Sequence, residues 1–441
     1  KNLSEILVNK IFNYIISFFF LASCSLNSDS SFWSKRNINE DQKILTIKQI
    51  IKKDEVLLKE INKNLEINLS NFKMENYPLS YLHNNNGRTA YNGNLKSISR
   101  YKFSKIEKFD EYEPEIIINQ SDIIFFDNKG TILKFDESSK LIWKKNYYTK
   151  AEKKLKPVLF LSANKDTLIV VDTIAKYFAI NLKTGDLLWT KYNDSPYNSQ
   201  IKIFKNKFYV VDANNVLHCY SLNSGEEIWN FKTDKPLIKS QKKNSLIVKK
   251  NKIIFNNSMG DITAVNLDTG ELVWQAPTQS KKIYDESMFF KNSDLISAKN
   301  SILFSNNNNG FFSLDADSGL VNWKQKINSN IKPVFFNDFI FTVTNEGYLV
   351  VIDNESGNIV RSNYLFSNFK EKKREKIKPI GFIAGQNNIY LTLNNGRLLV
   401  VDIKTGSVNS VLKIDNEKIS PPIVQGQNLY VTKNNSIIKL D

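Results

Sequence analysis

The sequence predicts an all-β fold, an eight-bladed β-propeller made of four-stranded antiparallel blades. A short phrase that ends in tryptophan recurs along the chain, and each clear copy contains one glycine turn. The tryptophans of the four clearest copies are 40, 45 and 49 residues apart. A period of this size with one tight turn per copy is typical of propellers. The four copies are Asn181–Trp189, Ser221–Trp229, Asn266–Trp274 and Asp315–Trp323.

Residues 157–192 illustrate one predicted blade. Three strand-like runs are followed by a polar turn and a fourth run that contains Trp189. Gly185 lies in the turn, where a residue that tolerates a positive φ is needed. The four strands are predicted at Pro157–Ser162, Thr167–Asp172, Lys176–Asn181 and Asp186–Tyr192.

The repeated positions are interpreted as scaffold and not as a substrate site. The tryptophans mark the outer strands and the packing between blades, whereas the glycines mark the turns. The first copy, residues 131–143, lacks the glycine, and the sixth has Arg361 where tryptophan is expected. The positions concerned are Trp143, Trp189, Trp229, Trp274, Trp323, Gly185, Gly225, Gly270, Gly319, Gly357 and Gly406.

The eighth copy stops after its third strand, at residues 436–441. A blade without its outer strand leaves an unpaired sheet edge. Residues 97–106 alternate in polarity as a strand does and closely precede the first blade. This N-terminal strand is therefore predicted to close the ring by pairing beside residues 436–441.

Residues 1–23 have the pattern of a signal peptide. A lysine-bearing start leads into the apolar run Ile11–Phe20, which is about half of the roughly twenty residues needed to cross a bilayer. The ending Leu21–Cys24 resembles the lipobox of bacterial lipoproteins, in which the cysteine carries acyl chains such as palmitate. The resemblance implies lipid attachment at Cys24, and Ser25 after it favours the outer membrane. The alternative is a signal-anchor helix.

Residues 24–70 are predicted to be a tether that precedes the propeller domain, residues 71–441. Apolar residues recur at helical spacing between residues 41 and 65, which indicates an amphipathic helix. The run Leu65–Leu69 instead alternates like an extended segment laid along the propeller. The sequence leaves both interpretations open.

The sequence offers little chemistry for catalysis or metal binding. Neither of its two histidines, His83 and His218, has zinc-site spacing, and no phosphate-binding loop is present. Cys219 lies in a strand-like run and is interpreted as a small buried hydrophobe. Asp315–Gly319 matches part of a calcium loop, but the downstream glutamate is missing and a simple turn is favoured. We therefore expect no catalytic residue, no metal site and no cofactor.

The formal net charge is +16, from 61 Lys and Arg against 45 Asp and Glu. Such an excess can indicate an anionic partner. Here the basic residues are scattered along the chain and are not interleaved with aromatic residues that could stack on bases. No nucleic-acid partner is predicted.

The copies, of which Val265–Trp274 is one, resemble the PQQ-like repeat of quinoprotein dehydrogenases and of the BamB family of outer-membrane assembly lipoproteins. The lipobox and the lack of adjacent cysteines for a quinone site favour the BamB family. The resemblance implies a non-catalytic scaffold, lipid-anchored to the periplasmic face of the outer membrane. Its implied partners are a BamA-like barrel assembly protein, the other subunits of that complex and unfolded outer-membrane proteins.

The docking residues are not carried over by the resemblance, because no loop matches residue by residue. The loops Asp194–Ser199 and Gln275–Lys291 are candidates by position between predicted blades. Two other functions stay open, since a fold does not imply a function. One is a PQQ-dependent dehydrogenase, and the other is a generic envelope lipoprotein propeller that binds another protein or a glycan.

Overall fold

The computed structural model describes residues 57–69, 84–85, 87–234, 242–278 and 291–441. Within these ranges 32 strands form eight four-stranded antiparallel sheets, which are the predicted blades. The first strands of blades 1 to 5 contact one another in order around the ring, so they line its axis and the fourth strands lie outside. The eight-bladed, all-β prediction is confirmed. None of the helices in the described ranges is long and apolar enough to cross a membrane.

The blades are numbered along the chain, and the strand that precedes them is β1 (Ser97–Lys102). Three short helices occur in the described ranges, α1 (Phe109–Tyr112), α2 (Lys150–Lys154) and α3 (Glu371–Arg374). The strands are, in blade 1, β2 (Ile117–Asn119), β3 (Asp122–Phe126), β4 (Ile132–Phe135) and β5 (Leu141–Lys145); in blade 2, β6 (Leu159–Ala163), β7 (Thr167–Asp172), β8 (Lys176–Asn181) and β9 (Leu187–Tyr192); in blade 3, β10 (Lys202–Phe204), β11 (Lys207–Val211), β12 (Val216–Ser221) and β13 (Glu227–Lys232); in blade 4, β14 (Leu246–Lys249), β15 (Lys252–Asn256), β16 (Ile262–Asn266) and β17 (Leu272–Ala276); in blade 5, β18 (Ile296–Ala298), β19 (Ser301–Asn306), β20 (Gly310–Asp315) and β21 (Val321–Gln325); in blade 6, β22 (Val334–Phe336), β23 (Phe339–Val343), β24 (Tyr348–Asp353) and β25 (Ile359–Tyr364); in blade 7, β26 (Pro379–Ala384), β27 (Asn388–Leu393), β28 (Arg397–Asp402) and β29 (Val408–Lys413); and in blade 8, β30 (Ile423–Gln425), β31 (Asn428–Lys433) and β32 (Ser436–Leu440), completed by β1.

The two middle strands of each blade are apolar because neighbouring blades cover both of their faces. In β11, for example, the four residues from Phe208 to Val211 are fully buried. Strands covered on both faces read as continuous apolar runs, which is the pattern seen in the sequence. The fourth strands behave differently: β9 alternates between exposed and half-buried residues. The core therefore consists of apolar layers between blades.

The ring is closed by β1, which pairs antiparallel with β32 and replaces the missing outer strand of blade 8. Tyr101 faces Ile437 across this pair, and both side chains are buried. In each of the other blades a turn connects the third strand to the fourth. In blade 8 no such turn connects β32 to β1, and hydrogen bonds join the two segments at this end. The backbone N–H of Lys96 donates to Asp441 Oδ1 at 2.7 Å, and the backbone N–H of Asp441 donates to the Lys96 carbonyl at 3.0 Å. The predicted closure is confirmed.

Residues 57–69, here called the strap, lie along the outer side of blades 6 and 7. Ile61 forms an antiparallel bridge with Ser362 on β25, and the backbone N–H of Ile67 donates to the Lys404 carbonyl at 2.9 Å. No part of the strap is helical. Over residues 57–65 the helix interpretation is therefore wrong: beyond the bridge at Ile61, Asn62 has φ +43° and a turn brings the Leu65 N–H to the Asn62 carbonyl at 2.8 Å. Residues 41–56 lie outside the described ranges.

A second N-terminal segment crosses the ends of the inner strands. The Asn84 and Asn85 side-chain amides donate to the carbonyls of Val248 and Phe335, at 2.6 and 2.8 Å. The backbone N–H of Thr89 donates to the Ala384 carbonyl at 2.8 Å. The segment thus links blades 4, 6 and 7 before the chain enters β1.

Candidate functional site

The joints between neighbouring blades are built by the repeated glycines and tryptophans. Gly225 has φ +68° and lies so close to Trp189 that an added Cβ would be 2.7 Å from its ring. Glycine is required there both for the left-handed backbone and for the close approach. The same contact joins Gly185 to Trp143, Gly270 to Trp229, Gly319 to Trp274 and Gly357 to Trp323.

The indole N–H groups add a hydrogen bond to most of these joints. Trp189 Nε1 donates to the Leu222 carbonyl of the next blade at 3.1 Å, and Trp323 Nε1 donates to the Asn354 carbonyl at 3.0 Å. Trp143 and Trp274 make the equivalent bond at 3.3 Å. The structure therefore places these tryptophans inside the ring joints.

Arg361 occupies the tryptophan position of blade 6 and bonds the same part of the next blade. Its Nη2 donates to the Ile403 carbonyl at 2.9 Å, and its Nη1 donates to Lys404 and, at 3.1 Å, to Leu65 of the strap. The Oδ1 of Asn363, together with Nη2 of Arg361, packs against Gly406. Arg361 is fully buried, and burial lowers its pKa to about 10 although Asp402 acts in the opposite direction. One side chain thus joins blades 6 and 7 and the strap.

We expect Arg361→Ala to destabilise the fold by about 3 kcal/mol and to release the strap, because two or more charge-assisted hydrogen bonds are lost. Trypsin cleavage after Lys63, followed by mass spectrometry, measures this release. Arg374→Ala is the matched control, since Arg374 bonds only nearby carbonyls of its own loop, Phe369 and Ser367, among those described. Equal cleavage rates in the two variants would contradict the role given to Arg361.

The joint between blades 8 and 1 uses other residues for the same purpose. Ser139 has φ +68° and stands where the first copy lacks glycine. Tyr101 of β1 takes the tryptophan role, because its hydroxyl donates to the Glu137 carbonyl at 3.0 Å. The looser first copy therefore still forms a complete joint.

The outer edges of blades 1 to 5 expose apolar side chains. In each repeat these side chains lie between the tight turn and the tryptophan that follows it. Each of these residues is between 41% and 70% exposed to solvent, although most apolar residues of the described ranges are buried. These residues lie on or next to strands that no other strand of the described ranges covers on the outside. They are Leu141 and Ile142, Leu187 and Leu188, Ile228, Leu272 and Val273, and Leu320 and Val321.

Blade 6 shows what covers such an edge. Its corresponding residues, Ile359 and Val360, are only partly exposed, since the strap packs on them. Leu57 and Ile61 join the apolar cluster that contains Ile359, while Ile67 joins the cluster that contains Val360. Backbone hydrogen bonds in both directions between Ile61 and Ser362, at 3.1 and 2.8 Å, complete the contact. A chain segment therefore covers this edge through one backbone bridge and apolar contacts.

Ion pairs between blades frame the exposed edges. Lys207 Nζ lies 3.1 Å from Asp268, and Asp317 is contacted by Lys250 at 2.9 Å and by Lys252 at 2.7 Å. Hydrogen bonds from these two ammonium groups hold the pKa of Asp317 well below its usual range. An apolar patch with a polar rim is the arrangement typical of a protein-binding surface.

Of the two loops proposed from the sequence, the fully described one does not form this surface. In Asp194–Ser199, Tyr197 is buried, and the backbone N–H of Asn198 donates to the Val211 carbonyl at 3.1 Å. This loop packs into its own propeller and exposes chiefly Asp194. Residues 279–290, most of the second loop, lie outside the described ranges. The exposed edges were missed, although the apolar residues before each tryptophan were visible in the repeat.

The other described residues that the sequence analysis discussed, Cys219 and His218, are buried on β12. Cys219 is fully buried, as expected, and burial raises the pKa of its thiol to about 12. His218 Nδ1 lies 2.6 Å from Glu227, and its ring stacks on Tyr220. The described residues contain no cluster of three or more side chains that could hold a metal ion. Cys24 and His83 lie outside the described ranges.

A family profile described as outer membrane protein assembly factor BamB matches residues 128–363, which is more than half of the chain. The chain belongs to the BamB family. The match begins within blade 1, covers the outer edges of blades 1 to 5 and ends within blade 6. No curated protein sequence matches this BamB-family chain.

Solved structures share the fold of this BamB-family chain at low sequence identity. BamB from Moraxella catarrhalis has a TM-score of 0.64 at 14% identity, over 79% of this chain and 99% of that one. The computationally designed Ika8 protein has a TM-score of 0.59 at 12% identity, over 79% and 99%. A quinohemoprotein alcohol dehydrogenase from Pseudomonas putida HK5 has a TM-score of 0.57 at 12% identity, over 82% and 78%. At these identities the likeness concerns the propeller alone.

Proposed function

We propose that this chain is a non-catalytic scaffold lipoprotein of the machinery that assembles β-barrel proteins in the outer membrane. It docks on the BamA-type barrel protein and assists the insertion of outer-membrane proteins. Membership of the BamB family supports the proposal. The observation that carries it is the set of exposed apolar edges on blades 1 to 5, because such edges suit protein binding better than small-molecule chemistry.

The mode of docking is strand addition to these outer edges. A fourth strand presents unpaired backbone N–H and C=O groups, which a partner strand in extended form can satisfy. The strap provides an example within the chain: it pairs with β25 at Ile61 and covers Ile359 and Val360. A partner segment that alternates apolar and polar residues would bind the edges of blades 1 to 5 in the same way.

The proposal is tested by co-purification from detergent-solubilised envelopes. Wild-type protein is expected to recover a large β-barrel protein. Replacing Leu320 and Val321 by lysine is expected to reduce this recovery at least about tenfold, because two charges disrupt an apolar contact of about 1.4 kcal/mol or more.

The matched control is Leu155→Lys, which changes an equally exposed leucine outside the outer edges. It is expected to recover the barrel protein as well as the wild type does. Failure of the wild-type chain to recover any barrel protein would favour the generic scaffold. Quinone absorbance in the purified chain would support the dehydrogenase hypothesis instead.

We further propose that Cys24 carries the lipid anchor and that the propeller lies on the periplasmic face of the outer membrane. A protein with two or more acyl chains remains stably bound, whereas one chain gives marginal binding. Cys24→Ala is therefore expected to move the protein from the membrane fraction to the soluble fraction. Cys219→Ala serves as the control for loss of a thiol, and retention of Cys24→Ala in the membrane would contradict the anchor.

A further inference from the structure

Positive charge is concentrated where the chain passes from blade 6 to blade 7. Residues 365–378 connect β25 to β26 there and contain the helix α3. This connection lies at the end of the ring opposite the turns that precede the tryptophans, because each fourth strand begins at its turn and ends here. Residues 367–378 include six basic and two acidic residues, a formal excess of four positive charges. Their exposed lysines are Lys370, Lys372, Lys373, Lys376 and Lys378.

Contacts within the connection hold it against blade 6. The Arg374 guanidinium donates from Nε to the Phe369 carbonyl at 2.9 Å and from Nη2 to the Ser367 carbonyl at 2.8 Å. The Phe369 ring packs edge-on against the fully buried Phe366, with the ring centroids 6.0 Å apart. The lysines are therefore carried by a packed segment of the propeller.

The five lysines of this connection lack the carboxylate partners that many other lysines have. Lys252, for example, lies 2.7 Å from Asp317. Lys378 donates to the Asn345 carbonyl at 3.4 Å, but none of the five forms an ion pair with a carboxylate of the described ranges. Exposed lysines without a compensating charge attract an anionic partner.

The strap begins beside this connection. The Leu58 carbonyl accepts a hydrogen bond from the Tyr348 hydroxyl at 2.9 Å. The rings of Tyr348 and Tyr364 lie 4.9 Å apart, at the end of the paired β24 and β25 from which residues 365–378 leave. Because the described strap starts at residue 57, the chain that follows Cys24 enters the described propeller here.

Leu58 adds an exposed apolar side chain to the same place. It is 60% exposed, whereas Leu57 before it is buried and Lys59 after it is exposed. A protein that contacts a membrane surface combines basic side chains for the anionic headgroups with an apolar side chain for the boundary of the acyl region. Residues 57–59 and 367–378, here called the basic corner, provide both.

Two other connections at this end of the ring differ from the basic corner. The connection before blade 1 carries the exposed carboxylates Asp110 and Glu111 on α1. The connection before blade 2 has exposed lysines at Lys150 and Lys154, but the strap does not begin there. The basic corner thus combines uncompensated charge, an exposed leucine and the entry of the chain from Cys24.

We propose that the basic corner rests on an anionic lipid surface, with its lysines on the phosphate headgroups and Leu58 at the acyl boundary. The inference rests on the proposed lipid anchor at Cys24, which holds the chain at a membrane. A lysine within a Debye length of an anionic lipid surface strengthens binding about fivefold. The acyl chains therefore retain the protein, while the corner orients the propeller and leaves the outer edges of blades 1 to 5 free.

Vesicle flotation of the unacylated full chain, Cys24→Ala, tests this contact. More protein should float with vesicles of equal parts phosphatidylglycerol and phosphatidylcholine than with phosphatidylcholine alone. Adding Lys372→Gln and Lys373→Gln should weaken binding to the anionic vesicles about thirtyfold. Adding Lys140→Gln and Lys183→Gln, two exposed lysines in turns at the opposite end of the ring, should leave it unchanged. Equal binding by these two double variants would overturn the proposal.

A dye at position 58 tests the apolar part of the contact. In the Cys24→Ala chain, Leu58→Cys accepts one environment-sensitive label, because the Cys219 thiol is fully buried. The emission should shift to the blue with the anionic vesicles. Ile98→Cys, at a residue that is 52% exposed on β1 of blade 8, should give no shift. No shift at position 58, or the same shift at both positions, would overturn the contact.

Other anionic partners are distinguished by two further results. Release from the vesicles by inorganic phosphate, but not by sodium chloride of equal ionic strength, would indicate a discrete phosphate site and overturn the lipid surface. If Lys372→Gln with Lys373→Gln lowers recovery of the barrel protein but not vesicle binding, the corner binds an acidic protein and the proposal is wrong. Failure of the anchor is seen separately, because fractionation of the wild-type chain reports it and the vesicle assays use unacylated protein.

Discussion

Removal of residues 436–441 is expected to destabilise the propeller by at least about 6 kcal/mol. The deletion exposes or removes the buried side chains of Ile437, Ile438 and Leu440, each worth about 2 kcal/mol. It also leaves β1 without its partner and reopens the ring. A loss of this size is comparable with the whole stability of many domains.

Circular dichroism during heating measures this effect, and the expected result is a much lower and less cooperative transition. Two substitutions on β1 provide a matched pair. Tyr101→Ala removes a fully buried ring and should cost about 3–5 kcal/mol, whereas Ile98→Ala changes a side chain that is 52% exposed and should cost less than about 1 kcal/mol. A truncated chain that melts like the wild type would contradict the closure.

Gly270→Ala is expected to cost about 3 kcal/mol of stability. The φ of Gly270 is +76°, which costs an alanine about 1–2 kcal/mol. In addition, the new Cβ would lie 2.6 Å from the ring of Trp229, and overpacking of this kind costs about 1–3 kcal/mol. The joint between blades 3 and 4 would have to open to admit it.

Gly426→Ala isolates the packing contribution. Gly426 has φ +59°, but an added Cβ meets no described atom within 4 Å. This variant should therefore lose only the backbone cost of about 1–2 kcal/mol. Denaturant unfolding of both variants gives the comparison. Equal losses of stability would show that the contact between Gly270 and Trp229 does not hold the blades together.

The blades could be predicted closely because the turn and the tryptophan fix their register. In blade 2 the structure reproduces the predicted bounds of β7 and β8, and β9 begins one residue later than predicted. The closing strand was also predictable, since an incomplete eighth blade requires a partner. These features depend on local sequence and on a repeated unit.

The strap and the candidate sites depend on contacts between distant parts of the chain. Nothing local to Arg361 shows that it would bond Leu65, almost 300 residues away in sequence. The apolar residues Leu320 and Val321 resemble core residues in the sequence, and only the ring shows that no described strand covers them.

The outer-edge docking proposed here is tested most directly by photo-crosslinking in intact cells. A photoreactive residue is placed at Val321, on the exposed edge of blade 5, and separately at Leu155, which is equally exposed but lies outside the edges. The expected result is a crosslink from position 321 to a large outer-membrane β-barrel assembly protein and none from position 155. The absence of this crosslink at 321, or equal crosslinking at both positions, would contradict the account.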